Sequence, residues 1–106
     1  MIRQDIDING YWKLIIIYNA YLGKKNTGFT HTDFSKKKSI VGISETTSQE
    51  QFFNTLVHEA KHVQSHICKY FGVEEDSEEA AYLIGHLVHR MYKMLEKILR
   101  MYVNIV

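Results

Sequence analysis

Apolar and polar positions alternate through "DIDINGYW" (5–12), and the alternation breaks at Asn9-Gly10, a dipeptide suited to a tight turn. "KLIIIYNAYL" (13–22) follows with a run of isoleucines that favours a buried strand over a helix of the same length. "GFTHTDF" (28–34) and "SIVGIS" (39–44) read as two further strands joined around "SKKKS" (35–39), whose lysines fit a solvated hairpin turn better than a phosphate-binding patch at Lys36, Lys37 and Lys38.

After "SETTSQEQ" the period changes from two to that of a helix. Ser48 with Gln51 three residues later forms a capping-box pattern, so a helix is expected from Ser48 to about Phe71, where Gly72 supplies a left-handed terminator. Its core stripe is Phe52, Phe53, Leu56, Ala60, Val63, Ile67 and Phe71. A second helix is expected after a cap at Asp76 or Ser77, with acidic residues in its first turn, running to about Tyr102 along an apolar stripe of Ala80, Ile84, Leu87, Val88, Met91, Leu95 and Ile98. These elements predict one α+β domain over residues 1–106: a small N-terminal antiparallel sheet followed by two long helices.

Composition narrows the function classes. A net charge of +1 with dispersed Lys and Arg provides no footprint for a nucleic-acid backbone, so no nucleic-acid partner is expected. The longest apolar run, "LIIIY" (14–18), is well short of the roughly 20 residues that cross a bilayer, so no membrane span is expected. One cysteine, Cys68, cannot form an internal disulfide, and "MIRQDIDING" does not have the pattern of a secretory signal, which makes the cytoplasm the expected location.

The chemistry concentrates in "TLVHEAKHVQSH" (55–66). His58 and His62 are four residues apart and share one helix face, and Glu59 follows about 100° round the helix. This is the HExxH arrangement, in which two histidines hold zinc and the glutamate acts as general base. Both histidines fall opposite the core stripe, beside Gln51, Thr55, Ser65 and Lys69, which leaves a metal-bearing cleft wall and a plain solvated face as the two readings. His66 continues the row but lies about 12 Å along the axis from His58, too far to share one ion with both partners. Cys68 is expected to be a small, partly buried hydrophobe.

A catalytic zinc site needs a third protein ligand. Glu78 shares its side of the second helix with Ala81 and Gly85, small residues that would let another helix approach; Glu79, beside Leu83 and His86, is the reserve. Tyr82, His86 and His89 share one side of that helix as candidate hydrogen-bond donors to an oxyanion. "HEAKH" (58–62), a short connection and "EEAAYLIG" (78–85) together resemble the gluzincin-type zinc metallopeptidases, most of all the very small single-domain versions carried by bacteria and phages. The resemblance spans about residues 39 to 90. It implies a minimal zincin-like fold, zinc held by His58, His62 and Glu78, and Glu59 as base.

On this reading the chain hydrolyses peptides or unfolded protein segments, and "SIVGIS" is an edge strand that pairs with an extended substrate. The alternatives are a non-catalytic binding or regulatory module on the same fold, and a small α+β scaffold without metal. The oligomeric state is not legible in the sequence.

Overall fold

The structure, a computed structural model, describes residues 2–18, 27–45 and 48–105; the side chains at 94, 95, 98, 99 and 101–105 lie outside the description. Four strands, β1 (Ile2–Ile8), β2 (Trp12–Tyr18), β3 (Gly28–Asp33) and β4 (Lys38–Ile43), precede two helices, α1 (Gln49–Phe71) and α2 (Glu78–Ile105). The turn expected at Asn9-Gly10 is present, with both residues at positive φ (51° and 79°), and the Asp7 carboxylate accepts from the Gly10 N–H. The lysine-rich hairpin also forms, closed by Asp33, whose carboxylate accepts from Ser35 Oγ and the Lys36 N–H. Those bonds hold the Asp33 carboxyl below its ordinary range.

The sheet order is β1-β2-β4-β3. β1–β2 and β3–β4 are antiparallel, but β2 and β4 run parallel, so the sheet is mixed and not wholly antiparallel as expected. The isoleucine run fits the place of β2 inside the sheet: Leu14, Ile16 and Tyr18 are buried on one face and Ile15 and Ile17 are half-buried on the other. A second correction follows. Residues 39–44 were expected at an edge, yet β4 lies between β2 and β3; among the described residues the edges are β1 and β3. The last part of the expected second strand, 19–22, lies outside the described residues.

Both helices cover one face of the sheet. Ile6, Ile8, Trp12, Leu14, Ile16, Val41 and Ile43 meet Phe52, Leu56, Ala60, Val63 and Ile67 of α1 and Ala80, Leu87 and Met91 of α2. Each such aliphatic side chain withdrawn from water contributes about 1.5–3 kcal/mol. Ser48 caps α1 by accepting from the Gln51 N–H at 3.0 Å, and Gly72 ends it at φ 71°. Ser77 caps α2, its hydroxyl accepting from the Ala80 N–H, which decides between Asp76 and Ser77. Phe53 and Phe71, expected in the α1 core stripe, are instead 41% and 46% exposed; Phe71, at the end of the helix, packs only partly, against Tyr11 and Trp12. The far part of the α2 stripe, Leu95 and Ile98, lies outside the described side chains. Among the described residues no helix is long and apolar enough to cross a membrane.

Candidate functional site

α1 packs against β3 and β4, so the edge strand β3 lies along one flank of the histidine helix. Alternation along β3 turns Gly28, Thr30 and Thr32 to α1 and leaves Phe29 and His31 exposed on the other face. These three small residues accept polar side chains from the helix. A Cβ on Gly28 would sit 2.9 Å from Thr55 Cγ2 and 3.0 Å from Glu59 Oε2, so the missing side chain is the space that the Glu59 carboxylate fills. Thr30 Oγ1 donates to Glu59 Oε1 at 2.8 Å. Glu59 is only 5% exposed, while His58 beside it is exposed. Thr55, expected beside the histidines on the open side, is buried against Gly28 for the same reason.

His58 and His62 both stand in solvent, with rings at 72° and their Nε2 atoms 3.3 Å apart. Two nitrogens bound to one tetrahedral zinc at about 2.05 Å are separated by roughly 3.3 Å, so the spacing fits an ion held between them. His66, set aside on axial distance, has a different partner: its Nδ1 is 2.6 Å from Thr32 Oγ1. Thr32 Oγ1 is 2.7 Å from Ser39 Oγ, which accepts from the Trp12 indole N–H at 3.0 Å. Because an indole N–H can only donate, Ser39 Oγ is an acceptor at the inner end of this chain, and a neutral His66 ring accepting at Nδ1 from Thr32 is one arrangement that satisfies its outer end. Burial, then the nearby His62 and Lys69, lower the His66 pKa in the same sense, opposed by Glu75.

α2 meets the other flank of α1. Buried Gln64 donates from Nε2 to the Ala80 carbonyl at 2.9 Å and accepts from Lys61 Nζ through Oε1. Ala80, fully buried, is therefore the small residue at the helix contact. Ala81 is exposed and a Cβ on Gly85 would meet nothing within 4 Å, so the expected clearing exists but, among the described residues, no helix enters it. Glu78 lies about 200° round α2 from Ala80, on the outer side, and is exposed. Glu79 is exposed on a different side and lines a recess with Cys68 and Leu83. Tyr82 is 73% exposed and His89 is exposed. His86 is half-buried, its Nε2 without a hydrogen-bond partner among the described residues, four residues before Arg90 on the same side of the helix. Arg90 donates to the Asp7 carbonyl, so this flank of α2 belongs to the β1 side of the molecule, across the helix layer from β3.

The structure thus brings together His58 and His62, sets Glu59 next along the helix with its carboxylate turned to β3, and no described contact links any of them to Glu78, Tyr82, His86 or His89. Among the described residues no group of three His, Cys, Asp or Glu side chains gathers as a metal cage. The carboxylate from the α1–α2 connection that does reach the exposed side of α1 is Glu75, accepting from Ser65 Oγ at 3.0 Å and lying 3.5 Å from Lys61 Nζ. Thr30, Thr32, Gly28, Gln64 and Glu75 were not anticipated. Alternation in "GFTHTD" already placed the first three on one face; nothing local pointed to Gln64 or Glu75. No family model, curated protein or solved structure matches the chain.

Proposed function

We propose that this protein is a zinc-dependent metallopeptidase acting on extended peptide segments, with His58 and His62 as metal ligands and Glu59 as general base. The observation that carries the proposal is the 3.3 Å separation of the two Nε2 atoms on an exposed helix face, with a buried carboxylate one residue away. A zinc ion there would supply a Lewis acid that polarises a carbonyl and acidifies water. Glu59 takes the proton from the attacking water and returns it to the leaving nitrogen. Thr30 fixes one oxygen of that carboxylate, and Gly28 leaves room for the other. Among the described residues β3 pairs with β4 alone, so its outer edge offers backbone groups to an extended substrate beside Glu59. That assigns to β3 the role first expected of residues 39–44.

Glu78 is the third ligand that the resemblance implies, and it reaches the pair only if the first turn of α2 is repositioned. Its place on the outer side of α2 favours a second reading: a non-catalytic module that keeps the two-histidine metal grip. Cleavage of an unfolded-peptide library, with and without chelator, separates the two. Chelator-sensitive cleavage by the wild type supports the peptidase. Stoichiometric zinc without cleavage supports the binding module, and absence of both overturns each.

A further inference from the structure

On the side of α1 away from His58, the end of that helix, the β1–β2 turn and the start of α2 enclose a recess of about 370 Å³, within the range of small-molecule sites. Tyr11, Ile67, Phe71 and Leu83 make its wall apolar, and exposed Glu79 is the acidic residue that borders it. Burial raises the pKa of both the Cys68 thiol and the Tyr11 phenol, so those groups are neutral near pH 7 and Glu79 is left as the wall's charge.

We propose that this recess binds a small organic cation, an ammonium on an aromatic or branched aliphatic body. Three features select that class over a neutral or anionic ligand. Glu79 offers an ion-pair partner at the edge of an otherwise apolar cavity. The segment continuing from Val73, which also lines the recess, carries Glu74 and Asp76, both exposed and with no described cationic partner, so acidic residues follow directly on the lining. The Tyr11 and Phe71 rings, packed edge to face at 5.5 Å, add aromatic surface that attracts a cation and covers its body. The recess is independent of the histidine pair: Ile67 lies about 180° round α1 from His58.

The test is titration of the ¹⁵N-labelled protein with three probes of one shape, phenethylamine, 2-phenylethanol and 3-phenylpropionate, followed by amide shifts. Phenethylamine is expected to move Tyr11, Ile67, Phe71 and Leu83, the alcohol to bind about fivefold more weakly and the acid not to bind. Glu79→Gln, at an exposed position that leaves the fold intact, should make the amine and the alcohol equal. Leu83→Trp should fill the recess and abolish both. The proposal is overturned by no shifts with the amine, by shifts outside the recess, by equal affinity for all three probes, or by an amine preference that survives Glu79→Gln.

Discussion

The two flanks of α1 bury polar atoms in different ways. Against β3 the helix presents Thr55, Glu59 and His66 to Gly28, Thr30 and Thr32, so helix side chains meet hydroxyls and a bare backbone. Against α2 the one buried amide, Gln64, reaches a main-chain carbonyl, and the surface beyond it is apolar around Ile67, Cys68 and Leu83. Small residues on a neighbour leave room for helix polar groups with chemistry still available to them. A carbonyl at the start of a helix absorbs the polar group in holding two elements together. Glu59 is of the first kind and Gln64 of the second, although both are nearly fully buried.

Substituting these two residues separates the flanks most sharply. Glu59→Gln should retain bound metal while lowering peptide hydrolysis by about 10²-fold or more, read as kcat/KM on a chromogenic peptide. Activity that survives this change would remove Glu59 as the base. Gln64→Ala should act on stability, leaving the Ala80 carbonyl without its donor at a cost of about 1–3 kcal/mol in urea unfolding. A loss below about 0.5 kcal/mol would mean that the Gln64 bond does not hold the helices together.

A glycine pair sharpens the comparison at smaller amplitude. Gly28→Ala places a methyl against Thr55 and Glu59 and should destabilise by about 1–3 kcal/mol, with reduced hydrolysis. Gly85→Ala adds its methyl in open space within an α-helix and should stabilise by about 0.5–1 kcal/mol. Destabilisation at Gly85 would show that another element occupies the clearing after all.

Much of the fold was legible because its signals are local. Ser48, Gly72 and Asn9-Gly10 each carry their own turn or cap chemistry, and all three act as expected. What could not be read was set by pairing over distance. Nothing within "SIVGIS" says that its neighbour is β2 in parallel, so the edge was assigned to the wrong strand. The site divided along the same line. His58, Glu59 and His62 are fixed relative to one another by one helix, whereas Glu78 depended on which face of α2 meets α1. The Ala81–Gly85 side was the expected approach for the ligand, but α1 meets α2 on the side of the apolar stripe, whose Ala80 is buried as expected.

The smallest expected effect concerns pH. The pKa of His66 is depressed in the folded state, so the unfolded chain binds more protons and stability rises with pH. The contribution is fully present above the ordinary value of 6.5 and is lost as pH falls through the lowered one. His66→Asn, which keeps an acceptor towards Thr32 without titrating, should flatten that part of the profile when both proteins are unfolded in chelator. Identical profiles would contradict a depressed His66 pKa in the folded state.

The most direct test of the histidine pair is metal content by mass spectrometry on purified wild type beside His58→Ala, His62→Ala and Glu78→Gln. One equivalent of zinc in the wild type, lost in both histidine variants, is the predicted result. Loss in Glu78→Gln as well would favour the catalytic three-ligand reading, and retention would favour the two-histidine grip. Equal zinc in the wild type and both histidine variants, or no zinc in any of them, would contradict the assignment of His58 and His62 as a metal site.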